Sequence, residues 1–446
     1  MHVSIVGTGY VGLVSGVCLA DKGHVVTCVD VDENKVARIN EGVTPIYEDG
    51  LKPLLERNIG KRLRATTELR EAVMQTELTL IAVGTPFDGS AIDLRYIKQV
   101  AAEIGAVLKD KPGYHVVVVK STVVPGTTDE VVIPVLERTS GKRAGVAFGV
   151  GMNPEFLREG KAVEDFMYPD RIVLGGMDER THEALTELYA VFPKVEQLKA
   201  SNKTAETIKY AANALFATMI SFSNEIGNLC AALGDIDVTE VMHGVHLDKR
   251  LSPILEDGSR LTPEFTTYLE AGCGFGGSCF PKDVKALIAH GQRAGQAMPL
   301  LDAVMKVNEE QPKQILRLLD NHFTSLEKRQ LAVLGLAFKP GTDDVRESPA
   351  IPVIRELVAR GGSVNTYDPV ARDAARAVLG NSQVSYGTSL RETVRGADAV
   401  IILTSWPEFK ALPALLETMG VHPLVVDGRR MLEPEAVAHY AGIGLS

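Results

Sequence analysis

The sequence predicts an α/β protein in which two doubly wound, parallel-sheet domains are joined by one long central helix. Three observations carry that expectation. Short β-branched runs alternate with helical stretches through the first part of the chain, the pattern of a parallel sheet wrapped by helices. A proline-free run from 202 to 232 has apolar residues at helical spacing. The strand–helix alternation then returns in the last third.

The bulk numbers narrow the class. At 446 residues the chain exceeds one ordinary core, and 45% hydrophobic with 23% charged residues is the composition of a soluble globular protein. No apolar run reaches the ~18–20 residues that a membrane span needs, so no membrane insertion is expected. The opening MHVSIVGTGYVG has no basic leader and moves straight into a strand, so no signal peptide is expected. A net charge of −10 argues against nucleic acid as a partner. The five cysteines, at 18, 28, 230, 273 and 279, form an odd, sparse set that reads as reduced thiols in a cytoplasmic protein.

Taken in order, residues 2–6 are a strand, 7–12 a glycine turn opening a helix, and 24–30 a second strand ending in an acid. Further strands are expected at 78–83, 116–120, 147–152 and 171–174, within a first domain spanning 1–197. The long helix follows, with Asn202 as its expected N-cap and Gly234 as its stop; at 1.5 Å per residue it would run roughly 45 Å. It belongs to a central region, 198–320, broken by a glycine-rich stretch at 272–277. A third region, 321–446, has strands at 330–335, 362–368, 400–403 and 424–427 and a helix at 348–360. LGLAFKPG stands there where VGTGYVG stood in the first domain, so this region reads as a nucleotide-binding fold without the dinucleotide turn.

The first glycine cluster is a G-x-G-x-x-G in its proper place, after a strand and before a helix. Gly7 makes the tight turn, Gly9 lets the backbone approach a pyrophosphate, and Gly12 allows close helix–strand packing. Negative phosphates suit the helix N-terminus. Asp30, ending the next strand, accepts hydrogen bonds from a ribose 2′-OH and repels a 2′-phosphate, so the expected cofactor is NAD rather than NADP, with Lys35 the one feature that would tolerate a phosphate.

The second cluster is GCGFGGSCFPKD at 272–283. Its glycines point to unusual dihedrals or to close approach of a ligand. Cys279 precedes Phe280-Pro281, where proline suits a first helical turn, and a thiol at a helix N-terminus near Lys282 would be more acidic and more nucleophilic. Cys273 lacks those neighbours and reads as a buried small hydrophobe. The two together lack the further ligands that a zinc site would need.

Lys209 and Asn213 lie four apart on the long helix and so share a face. Together they suit stabilisation of an oxyanion, although a solvated lysine beside a structural asparagine fits the residues equally well. Lys120-Ser121-Thr122 and Asn153-Pro154-Glu155 each end a strand, where α/β sheets bind ligands. Glu155 and Glu159, four apart, are candidate general bases if desolvation raises a carboxyl toward neutrality.

Taken together, VGTGYVG at 6–12, VGTP at 83–86, KSTVVPGT at 120–127, NPEFLREG at 153–160, IKYAANA at 208–214, FGGSCFPKDV at 275–284, FKPGTDDVRESPAI at 338–351 and DGRR at 427–430 resemble the UDP-glucose/GDP-mannose dehydrogenase family over essentially the whole chain. The resemblance implies two Rossmann-like domains, a dimer or larger homo-oligomer built on the long helix, and a nucleotide-sugar substrate. It also implies a four-electron oxidation consuming two NAD⁺, through a thiohemiacetal and a thioester on Cys279. Lys209 and Asn213 then match the oxyanion residues, Asp283 and Thr122 those that position water, and Glu155 the general base. Cofactor contacts carried over by the resemblance are Tyr10 and Val11 in the glycine turn and Thr85, Pro86 and Ser121 at the strand ends. Lys35, Glu159, Lys282 and Arg346 complete that set. Substrate contacts so implied are Phe156 and Leu157 beside Glu155, then Tyr268, Phe275 and Gly276 in the glycine stretch. Phe338, Lys339 and Arg429 follow in the third region, Arg429 with Arg430 as its alternative.

UDP-glucose is the expected sugar nucleotide, on the likeness of YPDRIVLGG at 168–176 and VVDGRRML at 425–432. GDP-mannose is the alternative within the same chemistry, and the segment 257–270, with Arg260 in it, departs from the family spacing. Two rivals differ in kind. One is a two-electron hydroxyacid dehydrogenase using Lys209, which would form one NADH per substrate. The other is an NAD(H)-binding sensor without turnover.

Overall fold

A computed structural model describes residues 1–445 of the chain. The strands are β1 (His2–Val6), β2 (Val25–Val29), β3 (Leu63–Thr66), β4 (Leu78–Ile81), β5 (His115–Val119), β6 (Phe148–Met152), β7 (Arg171–Gly176) and β8 (Glu196–Ala200) in the first sheet. The second holds β9 (Gln330–Leu334), β10 (Ser363–Tyr367), β11 (Val384–Tyr386), β12 (Ala399–Ile402), β13 (Leu424–Asp427) and β14 (Tyr440–Gly442). The α/β class with two doubly wound sheets and a long helix is borne out.

Sheet one runs β3-β2-β1-β4-β5-β6-β7-β8, and sheet two runs β11-β10-β9-β12-β13-β14. The first six strands of sheet one and all six of sheet two therefore share the doubly wound order, with the switch point beside the first strand of each. One departure from a purely parallel sheet occurs: β7 pairs antiparallel to β6, with Gly151 opposite Gly176. Strands β3, β8, β11 and β14, which the hydrophobic pattern did not reveal, are the edge strands of the two sheets.

Both faces of each sheet are covered, as near-continuous apolar strands require. In β5, Val116 and Val118 feed one cluster with Leu13 and Val17 of the first helix, while Val117 and Val119 feed another with Ile97 and Ile104. In β9, Leu331 and Val333 join Ile354 and Leu357 on one face, and Ala332 and Leu334 join Phe409 and Leu412 on the other.

The long helix spans Asn202–Leu233 and Gly234, at φ +80°, ends it. Its cap differs from expectation by one residue: Asn202 is already helical, and the Ser201 hydroxyl accepts the Thr204 amide at 3.2 Å. Asn202 instead donates its amide to Asp129 at 2.8 Å. The chain divides into two compact units, 1–212 and 213–446, with the division inside this helix. We propose the regions 1–197, 198–320 and 321–446, read from the strand and helix pattern of the sequence, as the division of function along the chain.

A polar thread crosses the core of sheet one. His115 Nε2 meets Thr79 Oγ1 at 2.7 Å, Thr79 Oγ1 meets Ser4 Oγ at 2.7 Å, and Ser4 Oγ meets Thr76 Oγ1 at 3.0 Å. Burial, helped by the charge of Lys111, pushes His115 down to about 3. The unfolded chain therefore binds a proton that the folded one refuses. Stability should fall by about 1.4 kcal/mol per pH unit from this group as pH drops from about 6.5 toward 3. In thermal melts across that range, His115→Gln should show a flatter loss of stability than the parent; equal slopes would remove this account of the thread.

Candidate active site

The dinucleotide turn is built by steric need. Gly7 has φ +98°, and a Cβ there would sit 2.6 Å from the Ala82 carbonyl oxygen. A Cβ on Gly12 would sit 1.9 Å from the Gly7 oxygen, so helix and strand can meet here only without a side chain. Gly9 is the opposite case: nothing lies within 4 Å of a Cβ there, and the residue faces open space at the start of the helix Tyr10–Asp21. This is room for a pyrophosphate at a helix N-terminus. Asp30 follows β2, with its Oδ2 accepting the Thr8 amide at 2.8 Å and hydroxyl at 2.5 Å and its Oδ1 accepting the Asp32 amide at 3.0 Å. Burial alone would raise this carboxyl, but those donors and the charge of Lys35 hold it below its ordinary value. It stays ionised at neutral pH, as an acceptor for ribose hydroxyls must. Val11 is half-buried.

The ends of β4, β5 and β6 form the adjoining rim. Thr85 Oγ1 donates to the Thr122 carbonyl at 2.8 Å, and Ser121 Oγ donates to the Val83 carbonyl at 2.7 Å. VGTP and KST are thereby stitched together, with Pro86 exposed beside them.

Glu155 and Lys209 form a buried ion pair, Nζ to Oε1 3.0 Å, with side-chain exposures of 6% and 5%. Glu155 Oε2 also accepts the Leu157 amide at 2.7 Å. The Lys209 ammonium lies 5.5 Å from the centre of the Phe156 ring, and Arg171 covers that ring at 3.9 Å. Here the sequence reading needs correcting. Burial does press the Glu155 carboxyl upward, but Lys209, the Leu157 amide and Lys120 together hold it below the ordinary range. It is a carboxylate at neutral pH, with lower proton affinity than an ordinary carboxyl, rather than a group poised near neutrality. Glu155 lies in the irregular stretch 153–158, and Glu159 sits in the turn that follows it.

In the second unit, Cys279 is the N-cap of the helix Phe280–Arg293, half-buried, with Pro281 in the first turn. Its Sγ lies 3.7 Å from Ser278 Oγ. Asp283, one turn on and 1% exposed, accepts the Asn213 amide at 2.7 Å on Oδ2 and the Lys282 ammonium at 2.5 Å on Oδ1. The Lys282 charge is thus directed to Asp283, and Cys279 sits at the positive end of the helix that it caps. Burial pushes the Cys18 and Cys28 thiols up to about 12, and raises Cys273 as well.

The glycine stretch before Cys279 is held by protein on every side. Gly274 and Gly277 have φ +99° and +83°. A Cβ on Gly276 would meet the Glu347 carbonyl oxygen at 2.2 Å, and one on Gly277 would meet the Phe338 ring at 2.8 Å. The close approach is by the 338–347 segment of the same unit. Tyr268 stacks on Phe216 at 4.5 Å, and Phe275 meets Phe280 edge-on at 6.0 Å. Arg429 donates to the Leu403 carbonyl at 2.8 Å and the Gly274 carbonyl at 3.2 Å. Arg430 turns away to Asp237 at 2.6 Å, which makes Arg429 the arginine of this loop. Lys339 reaches over the Phe338 ring at 5.6 Å, Arg346 pairs with Asp344 at 2.7 Å, and Arg260 closes its own loop on the Leu247 and Ser252 carbonyls.

Several supporting residues escaped the sequence reading. Glu48, 8% exposed, accepts the Tyr10 hydroxyl, the Gly160 amide and the Ala162 amide, tying the dinucleotide turn to the loop that follows β6. Asn308 clamps Phe275 through both its amide atoms, at 2.8 and 3.0 Å, and Gln311 and Asn224 hold Gly272. The only signal for this pair was Asn308 and Gln311 three apart just before Pro312.

The description "UDP-glucose/GDP-mannose dehydrogenase family, NAD binding domain" matches residues 1–193, the central domain of that family 203–310, and its UDP binding domain 332–434. The chain belongs to the UDP-glucose/GDP-mannose dehydrogenase family. It is 44% identical over 439 residues to a UDP-glucose 6-dehydrogenase of Haloferax volcanii, covering 97% of each chain. It is 39% identical over 423 residues to a GDP-mannose 6-dehydrogenase of Pseudomonas putida, covering 92% of this chain and 93% of that one. A solved UDP-glucose dehydrogenase from Pyrobaculum islandicum matches with TM-score 0.89 at 40% identity, covering 100% and 98%. The chain is therefore an NAD-dependent dehydrogenase of this family, and its first sheet is the family's NAD-binding domain.

The two glycines should separate on mutation. Gly9→Ala should leave the melting temperature nearly unchanged and weaken NAD⁺ binding, by calorimetry, about tenfold or more. Gly12→Ala should lower the melting temperature, because its methyl group has no space.

Proposed function

We infer that this enzyme oxidises C6 of UDP-glucose to the carboxylate, giving UDP-glucuronate, with Cys279 as covalent nucleophile. The observation that carries the reading is the half-buried thiol of Cys279 at a helix N-cap, one turn from the buried Asp283 with its Asn213 partner. A thioester route needs a thiol that is both nucleophile and leaving group. UDP-glucose is supported by the Haloferax and Pyrobaculum relatives, and the GDP-mannose relative keeps that nucleotide as the second reading.

In this reading the C6 hydroxyl gives its proton to the Glu155 carboxylate, and the Lys209 ammonium holds the oxygen as its charge develops. Two NAD⁺, bound in turn, would each accept one of the two hydrides lost from C6. Cys279 Sγ forms a bond to the C6 aldehyde carbon, and Asn213 with Lys209 stabilises the resulting oxyanion. Once that carbon is at the thioester level, water adds to it and the S–C bond breaks, returning the thiolate and releasing the carboxylate. Asp283 and Thr122 orient that water. Phe338, Lys339 and Arg429 hold the nucleotide sugar, with Phe156, Leu157, Tyr268, Phe275, Gly276 and Arg260 completing its contacts. Tyr10, Val11, Lys35, Thr85, Pro86, Ser121, Glu159, Lys282 and Arg346 serve the cofactor.

Leu215, Phe222 and Leu229, seven residues apart on the long helix, are each about half exposed. An apolar stripe at that repeat suits a second helix of the same kind. We read it as the face of a homodimer.

Cys279→Ser should bind NAD⁺ within about twofold of the parent and lose uronate formation by about a thousandfold or more. The parent should form two NADH per sugar nucleotide consumed; one would identify a two-electron dehydrogenase. Among UDP-glucose, GDP-mannose and UDP-N-acetyl sugars, UDP-glucose should have the highest kcat/KM. Phe222→Glu should halve the particle mass in light scattering, and an unchanged mass would place the interface elsewhere.

A further inference from the structure

Lys120 ends the β5 run just before Ser121 and Thr122, and it is 3% exposed. Among the described residues, no carboxylate meets its ammonium directly. It bonds Asn153, at 2.9 Å to the side-chain oxygen and 3.5 Å to the carbonyl. Asn153 is fixed from further sides: its Oδ1 accepts the Tyr189 hydroxyl at 2.5 Å, its Nδ2 donates to the Val173 carbonyl at 2.8 Å, and its backbone amide donates to Val119 at 2.9 Å. Pro154 and Glu155 come next in the chain. One buried lysine thus joins the end of β5, which carries Thr122, to the end of β6, which carries Glu155.

A strut between two strand ends does not need a charge, and a buried ammonium without a carboxylate in contact is costly. What the charge adds is potential. The ionisable groups set against this pocket are Glu155 on its loop, Lys209 on the long helix, Arg171 over Phe156, and Tyr189, whose phenol burial raises and keeps neutral. Burial pushes Lys120 down to about 8, with Glu155 working against that shift and Lys209 with it. Lys209 and Lys120 therefore both act on the Glu155 carboxylate, and of the two Lys209 is the one in contact with it.

We propose that Lys120 is a positioning residue of the reaction: it locks the strand ends bearing Thr122 and Glu155, and it keeps Glu155 ionised when the Lys209 ammonium is drawn to the substrate oxygen. The proposal rests on Glu155 as the base. Lys209 cannot stabilise the developing oxyanion and neutralise Glu155 fully at the same time. A second, fixed cation resolves that conflict without itself touching the substrate.

The test is the pH profile of kcat/KM for UDP-glucose in the parent, Lys120→Met and Glu155→Gln. Lys120→Met should move the acid limb up by about one pH unit, so that activity at low pH falls about tenfold and recovers as pH rises. The KM for NAD⁺ should stay within about twofold, a split that general loosening of the fold would not give. Glu155→Gln should lose the limb together with most of the activity. If Glu155→Gln keeps both, the reading of Glu155 as the base fails. If it loses them and Lys120→Met leaves the limb in place, the proposal for Lys120 fails while that reading stands. Should Lys120→Met not fold, Lys120→Gln removes the charge and keeps a side chain able to donate toward Asn153. It must raise the limb in the same direction, and an unmoved limb there overturns the proposal.

Discussion

The first unit is organised around a buried ion pair that must be surrounded on all sides to exist. Lys209 and Glu155 are both almost fully out of water, and removing one partner of such a pair strands the other's charge at a cost of several kcal/mol. The pair therefore constrains everything that frames it. The loop after β6 cannot be loose, and it is not: Asn153 anchors its start and Glu48 anchors its end through Gly160 and Ala162. Glu48 also accepts the Tyr10 hydroxyl, so the glycine turn and the loop that carries Glu155 share one carboxylate.

The second unit positions its glycine stretch largely with amides, joined by the Arg429 guanidinium on the Gly274 carbonyl. Asn224, Asn308 and Gln311 hold the backbone of the glycine stretch, and Asn228 in turn holds Gln311 at 3.1 Å. A primary amide can donate and accept at once, so it can clamp both polar groups of one residue, as Asn308 does with Phe275. It also adds no net charge near a thiol whose reactivity depends on local potential. The charged residues here, Lys282 and Asp283, satisfy each other at 2.5 Å.

Much of this was legible in the sequence because the strongest signals are steric or periodic. The central strands, the dinucleotide turn and the long helix all announce themselves that way, and so does Cys279 beside its proline. The edge strands did not, because a strand with one solvated side lacks a continuous apolar run: β8 is nearly all exposed or half-exposed, and β3 alternates. The N-cap was misplaced by one residue because Ser201 and Asn202 are both good caps and only the backbone decides between them. Glu155 was misjudged for a deeper reason. Burial can be guessed from sequence, but the sign of a carboxyl's shift depends on which cations share its pocket, and Lys209 and Lys120 come from distant stretches of chain. Arg429 and Arg430 are indistinguishable on paper, and their partners tell them apart: Asp237 for Arg430, the Leu403 and Gly274 carbonyls for Arg429.

The two sheets place an acid at the same point, Asp30 after β2 and Asp368 after β10, and the two acids lead different lives. Asp368 is 3% exposed and accepts the Leu336 and Ala337 amides, the Trp406 indole and the Val370 and Ala371 amides. Every lone pair that a ribose could have used is already committed to holding the turn after β9 closed. Restoring glycines to LGLAFKPG would therefore not recreate a dinucleotide site, because the missing element is an idle acceptor, not a small residue. A duplicated fold can lose a ligand by turning its recognition group into a rivet, and that route is harder to reverse than the loss of a glycine.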